Sequence, residues 1–325
     1  MSAYKEAQIE KVKNRYIELL IPVIFDEDGT GQEEVIDAFQ KEFLVRRERR
    51  QLLLDVLVDQ HRDLSGQAAH NIRGIYIEMQ LFKDSFAKLK DHQWHKKVKG
   101  MRELAEMQIE EASKHVERFI ESTNPIVANE ALLALVSLKH FKSFSYINRY
   151  RHELSDWQMV SLLEVLLDFE KEDLPSFKKW LNSEKHSLRV FALRLIRIFY
   201  QKDAEDAVVS LLDDKSREVR KEAIVTMRGL HLNAHADLLV GLYPTETKEI
   251  KIEILKTVGE LSAGEHEKFL VNEFLQNDFD IAFTAAQALT DSSFASVEDF
   301  TKLRVQLDQM HQRIAEHVNH ELLSV

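Results

Sequence analysis

The sequence predicts an all-α fold, a solenoid of stacked helix pairs between a helical N-terminal cap and a long C-terminal helix. Two observations carry this. A phrase recurs about every 31 residues, its copies beginning at Trp94, Pro125, Asp156, Ser187, Arg217, Lys248 and Asp280, at steps of 31, 31, 31, 30, 31 and 32. Each copy runs from a polar turn into an apolar helix, a unit too small to bury a core unless its neighbours stack on it. The composition agrees: 325 residues hold nine Gly and four Pro, and 44% are apolar, which suits packed helices and not a disordered chain.

The elements follow in chain order. Residues 1–92 do not show the phrase, yet four helical stretches are legible, at 7–25, 33–61, 65–81 and 85–92. They are separated most clearly at Asp26-Glu27-Asp28-Gly29-Thr30-Gly31 and at Asp63-Leu64-Ser65-Gly66, where Ser65 is a natural helix cap. This region is expected to cap the array, because an end repeat without a neighbour exposes an apolar face. Residues 93–295 form the array itself. Cap-type residues precede its helices, as Asn124 before Pro125 and Ser216 before Arg217, and Val219, Ala223 and Met227 share one helix face. The seventh position reads Gly100, Ala131, Leu162, Leu193, Ala223, Ile254 and Ala286, small in several copies, which allows close helix approach. Second helices are expected at 112–120, 144–150, 174–181, 204–212, 234–243 and 265–274. Residues 296–325 close the chain with one amphipathic helix over 297–323, its stripe being Phe300, Leu303, Leu307, Met310 and Ile314. Packing on the last repeat is preferred for that stripe over a coiled-coil seam, since two heptads are short and His317 interrupts the next position.

The phrase Val219-Arg220-Lys221-Glu222-Ala223 resembles the core of HEAT repeats, in the short form of about 30 residues found in many bacterial proteins. The resemblance covers Trp94 to about Ser293 and implies a right-handed α-solenoid of HEAT-like helix pairs. It also implies a binding role without naming a partner, since such arrays serve many.

Charge and cysteine usage exclude several functions. The chain contains no cysteine, so disulfides, thiolate metal sites and cysteine nucleophiles are out, in keeping with a reducing, cytoplasmic setting. A net charge of −11 disfavours broad nucleic-acid binding, which needs basic patches to release counterions. The chain lacks an apolar run long enough to span a bilayer, so membrane association is expected only through the N-terminal helix or a segment outside this chain.

Candidate chemistry gives way to plainer accounts. His152-Glu153, His266-Glu267 and His320-Glu321 resemble the iron-binding pairs of HEAT-type metal hydroxylases, but their separations of 114 and 54 residues are not multiples of 31. The 26–31 stretch lacks the ligand spacing of a calcium loop, and no Gly-Lys-Ser/Thr follows its glycines to make a phosphate loop. Arg46-Arg47-Glu48-Arg49-Arg50 spreads around a helix and reads first as a solvated face; contact with anionic lipid or phosphate is the sharper alternative, and Arg46 and Arg50 are kept as partner contacts. His95, Lys96, Lys97, Lys99 and Arg102 form a second basic group at the first repeat. Trp180 aligns with core positions of neighbouring repeats, whereas Phe144 and Tyr146 align less well and are expected to be partner contacts. No catalytic residue, cofactor or metal ligand is assigned. The sequence thus points to a non-catalytic scaffold or adaptor for a protein partner. The alternative is an enzyme on the same solenoid, of metal hydroxylase, base glycosylase or chromophore lyase type.

Overall fold

A computed structural model describes residues 3–26, 32–42, 47–139, 142, 144–167, 174–262, 264–291 and 309–323. All regular structure among them is helical. The chain forms two compact units, unit 1 comprising residues 1–152 with 156–174, and unit 2 comprising residues 153–155 with 175–325.

Unit 1 opens with α1 (Ala3–Ile24), α2 (Gln32–Glu42), α3 (Arg47–Asp63), α4 (Gly66–Glu78) and α5 (Phe82–Leu89). The single helix expected over 33–61 is therefore two, α2 and α3, with residues 43–46 outside the described ones. So is the turn at 27–31. Tyr16, Leu20, Phe39, Leu53, Ile72 and Tyr76 are all fully buried where these helices meet, Tyr16 edge-on to Phe39. Buried Asn71 donates to the carbonyls of Val23 and Asp26 at 2.9 Å each, which ties the C-terminal end of α1 to α4. The array follows with α6 (Trp94–Glu106), α7 (Ser113–Val116), α8 (Pro125–Lys139), α9 (Phe144–Ile147) and α10 (Asp156–Leu167), in which α5 packs on α6, α6 on α8, and α8 on α10.

Unit 2 repeats the plan with α11 (His186–Ile198), α12 (Glu205–Ser210), α13 (Arg217–Gly229), α14 (Ala236–Leu242), α15 (Lys248–Leu261), α16 (Glu267–Phe274) and α17 (Phe279–Asp291). The long helices stack in sequence, α11 on α13, α13 on α15, α15 on α17, and a helix Gln309–Leu323 packs on α17. Met310 and Ile314 of the expected terminal stripe lie on that helix, and Ile314 is buried. Phe300, Leu303 and Leu307 lie outside the described residues.

Two features correct the sequence reading. The helices of the fourth and seventh copies begin at His186 and Phe279, one residue earlier than expected. In this register the seventh position becomes Gly100, Ala131, Leu162, Ala192, Ala223, Ile254 and Ala285, so buried Ala192 replaces Leu193 and one buried alanine, Ala285, replaces another. The second helices are shorter than the first and mix α with 3₁₀ turns, as at Lys202–Ala204, Glu205–Ser210 and Leu211–Asp213. Tight 3₁₀ turns let a short segment close its terminal hydrogen bonds without another full α-turn.

The ends of the long helices share one device. Gln80, Gln108, Tyr200 and His231 all adopt left-handed backbone, with φ of 53°, 49°, 52° and 54°. The next residue then donates back five positions, Leu81 to Tyr76, Ile109 to Leu104, Gln201 to Ile196 and Leu232 to Met227, at 2.9 to 3.1 Å. This is a Schellman cap, closed in three copies by a buried apolar residue, Leu81, Ile109 or Leu232. Its presence after α4 makes α4 and α5 a helix pair of the same construction, 28 residues ahead of α6, although α4 itself packs on α1, α2 and α3.

A candidate docking cleft on unit 1

Helix α6 carries polar chemistry. Its Glu103 is almost fully buried. Its carboxylate accepts from Lys88 Nζ at 2.6 Å, from Ser85 Oγ at 2.6 Å and from Gln51 Nε2 at 3.1 Å, while Tyr76 donates its hydroxyl to Ser85 at 3.1 Å. Burial lowers the affinity of Lys88 for its proton, and Glu103 opposes that by favouring the ammonium. Burial likewise pushes the Tyr76 hydroxyl well above its usual range. The network has its place because Gly100 leaves room: a Cβ there would come within 2.7 Å of the Ser85 carbonyl and 2.9 Å of Lys88 Cβ.

Adjoining this network, with Glu103 in its lining, is a cleft of about 660 Å³ between α3, α6 and the start of α8, with Lys13 of α1 at its edge. Trp94, Val98 and Ile126 supply its apolar wall, and Arg62, Lys99 and Arg102 its cations. Asn124 fixes Ile126 at the start of α8 by accepting from its backbone N–H at 2.9 Å. The cations lean outward on acids less exposed than themselves. Arg102 is 64% exposed and donates to Glu130, which is 8% exposed, at 2.8 Å. Lys99 meets Asp55 at 2.7 Å, and Arg62 lies 3.8 Å from Glu106, in each case the cation being the more exposed partner.

The wall continues along the array. Trp94 is 46% exposed, Ile126 49% and Trp157 78%, and all three stand at the first or second position of successive long helices. The second positions in α11, α13 and α15 are Ser187, Glu218 and Glu249, while Phe279, 55% exposed, stands first in α17. In unit 2 the same edge is knitted to itself instead. Arg220 donates to the Asp214 carbonyl at 2.9 Å and to both oxygens of Glu246 at 2.6 and 2.9 Å. Arg189, 31 residues earlier, donates to the Ser183 carbonyl and to Asp214 Oδ1 at 3.0 Å. The arginine of the Val-Arg-x-x-Ala phrase thus ties the turn before its helix to the turn entering the next repeat.

The sequence-predicted contacts are spread over different repeats. Arg50, on α3, gives its guanidinium to Asp84 at 2.6 and 3.0 Å, so it joins α3 to α5. Tyr146, on α9, is half-buried and donates to Glu117 at 3.3 Å beside Arg149, which pairs with Glu117 and Glu121. The backbone of Phe144 starts α9, its side chain lies outside the described ones, and Arg46 lies outside the described residues. From the second basic group, His95, Lys99 and Arg102 line the cleft. Trp94, Ile126 and Trp157 were missed as contacts, though aligning helix starts across copies would have shown them in place of polar residues. Trp180 is buried.

Among the described residues no three His, Asp or Glu side chains converge as a metal site. His152 meets the Ser122 carbonyl at 2.9 Å and His266 meets Asp237 at 3.2 Å, in different units. No helix among the described residues is long and apolar enough to cross a membrane.

No family model matches the chain, and no curated protein matches it. Solved structures give distant likenesses. One engineered protein is 16% identical with a TM-score of 0.36, over 98% of this chain and 96% of that one. A second engineered protein is 17% identical with a TM-score of 0.26, over 75% and 96%. The complex of CpcE and CpcF of phycocyanin lyase from Nostoc sp. PCC7120 is 13% identical with a TM-score of 0.27, over 93% of each chain. At identities and scores this low, none of them lends the chain a function.

Proposed function

We propose that this chain is a non-catalytic scaffold of HEAT-like helix pairs that binds a protein partner through unit 1. The observation that carries the reading is the row of exposed Trp94, Ile126 and Trp157 on successive repeats. Large apolar side chains aligned on one edge are costly to leave in water and are the residue types that anchor interfaces. The acids beside the row are already engaged, Asp55 by Lys99 and Glu103 by Lys88, Ser85 and Gln51, which favours a binding surface over acid–base chemistry.

A photo-crosslinking residue placed at Trp157, and in a parallel protein at Glu249, tests this in the source cells. One defined adduct from position 157 that is missing from position 249 is expected. Repeating the experiment from positions 94 and 126 and finding no protein adduct at any of the three would remove the scaffold reading.

A further inference from the structure

Helix α10 leaves open a face that α11 and α13 close with ion pairs. We propose that this face, formed by Trp157, Val160, Glu164 and Leu167, docks a helix of a partner protein that presents a lysine or arginine to Glu164. The inference rests on the scaffold reading above and names what that scaffold holds.

Three observations carry it. The first is the shape of the face. Met159, Leu162 and Leu166 are the buried side of α10, whereas Val160 and Leu167 are 43% and 54% exposed and Trp157 and Glu164 are exposed with them. At about 100° per residue the four exposed residues fall within about 80° of the helix circumference, opposite the buried three, and run about 15 Å along the axis. Counted from the helix start, the residues that match Leu167 in α11 and α13 are Arg197 and Arg228. Each donates to an acid of the next repeat, Glu222 at 3.1 Å and Glu253 at 3.2 Å. Leu167 cannot make that bridge, and α10 is apolar on both its inner and its outer side, the pattern of a helix that is covered on both.

The second is what such a stripe accepts. Its three apolar side chains offer nothing to a backbone N–H or C=O. An extended segment laid along them would lose water from those groups with only the Glu164 carboxylate in return. A helix has already satisfied its own backbone, and its side chains pack along the stripe as ridges into grooves.

The third is charge. The charged residues of α10 are Asp156 and Glu164, and the helix has no cation. Among the described residues Glu164 has no hydrogen-bond or ion-pair partner. Lys139 ends α8, the long helix packed on α10, and in the repeat register it matches position 170, past the last turn of α10. Covering Glu164 is therefore costly unless the occupant brings a cation of its own. The same carboxylate disfavours other occupants. Two copies of this chain joined stripe to stripe would set two Glu164 side chains near the symmetry axis. A nucleic acid would be repelled, and a bilayer would have to take an unpaired charge.

The test is made in the source cells on the full chain, with a photo-crosslinking residue at Val160 in one protein and at Leu167 in another. Mass spectrometry then identifies the crosslinked residues. Positions 160 and 167 lie about 10 Å apart along α10. A helix lying along the stripe should be crosslinked at residues about seven apart, in one segment with a lysine or arginine between them. An extended chain would be crosslinked about three apart. Glu164→Lys should cut the yield from both positions about tenfold, with Glu164→Gln falling between. Circular dichroism checks that both variants are folded. Adducts with a second copy of this chain, with lipid or with nucleic acid, a spacing near three, or a yield indifferent to Glu164→Lys overturns the inference. So does the absence of adducts from both positions; if position 157 still gives its defined adduct, the scaffold reading stands without the helical occupant.

Discussion

Units 1 and 2 are built from the same helix pair and use its edge differently. In α11 and α13 of unit 2 the third residue beyond the helix start is Arg189 or Arg220, and each grips the turns on either side of its repeat, whereas α15 and α17 have Lys251 and Ala282 there. The matching residues of unit 1 are Lys97, Ala128 and Met159, and in their neighbourhood stand Trp94, Ile126 and Trp157. Two repeats of unit 2 grip their turns with an arginine; three of unit 1 carry an exposed apolar side chain at that edge, as only α17, with Phe279, does among the described long helices of unit 2. What unit 1 has instead is a buried ion pair, Lys88 with Glu103, deep between α5 and α6. The comparison teaches that a repeat phrase fixes the stack but leaves the turn edge free to be either a clamp or a docking surface.

The sharpest way to break this comparison is Glu103→Ala. It strands the Lys88 ammonium in a site only 10% exposed, which should cost about 3–5 kcal/mol. Hydrogen exchange should show protection falling in α5, α6 and α8, with α13 and α15 unchanged. Equal loss in both units would mean that they unfold as one cooperative body.

The clamp gives the next effect. Arg220→Ala removes three hydrogen bonds, two of them to a carboxylate only 8% exposed, and should destabilise unit 2 by about 2 kcal/mol. Arg220→Lys should recover part of this, since an ammonium keeps the charge but not the two-pronged grip. A comparable loss from Lys97→Ala, read by urea denaturation, would erase the contrast between the units. Gly259→Ala should act on a similar scale, roughly 1–3 kcal/mol, because a Cβ would meet Ala288 Cα at 2.7 Å.

A smaller change should be shared equally. Gln108→Gly in unit 1 and His231→Gly in unit 2 relieve left-handed backbone at equivalent caps and should each add up to about 1 kcal/mol. Unequal gains would show that the caps are under different tension.

Acid should have the least effect. Arg149 holds the Glu121 carboxyl below its ordinary range in unit 1, and Lys248 does the same for Asp278 in unit 2. Groups lowered on folding add stability above their unfolded pKa and lose it as pH falls through the folded one. A slight fall in Tm for both units below about pH 4 is expected, with Asp278→Asn removing the part due to unit 2.

Much of this fold was legible because stacking imposes a period. Seven helix starts were placed within one residue, since cap residues such as Asn124 and Ser216 announce them. Helix ends were harder. The left-handed caps use Gln80, Gln108, Tyr200 and His231 where glycine would signal a stop, so α4 and α5, both expected as helices, were not read as a pair like those of the array. The candidate cleft was half legible. His95, Lys99 and Arg102 stood out as a basic group, but Asp55, Asp59 and Arg62 come from α3, and only folding sets them beside α6. Arg50 illustrates the opposite case: a cluster that looks free in sequence is drawn in by Asp84, 34 residues away.

The arginine clamp also bears on how such a chain can grow. Within unit 2 the long helices start at His186, Arg217, Lys248 and Phe279, a constant step of 31 residues. A segment of that length, residues 184–214, contains an arginine and, at Asp214, both the acid that this arginine grips ahead and the carbonyl that the next arginine grips behind. Duplicating such a segment in register would therefore supply both halves of every new clamp at once. Adding or losing a single turn residue would instead break two clamps together. Unit 2 is thus open to lengthening by whole repeats and closed to change by single residues.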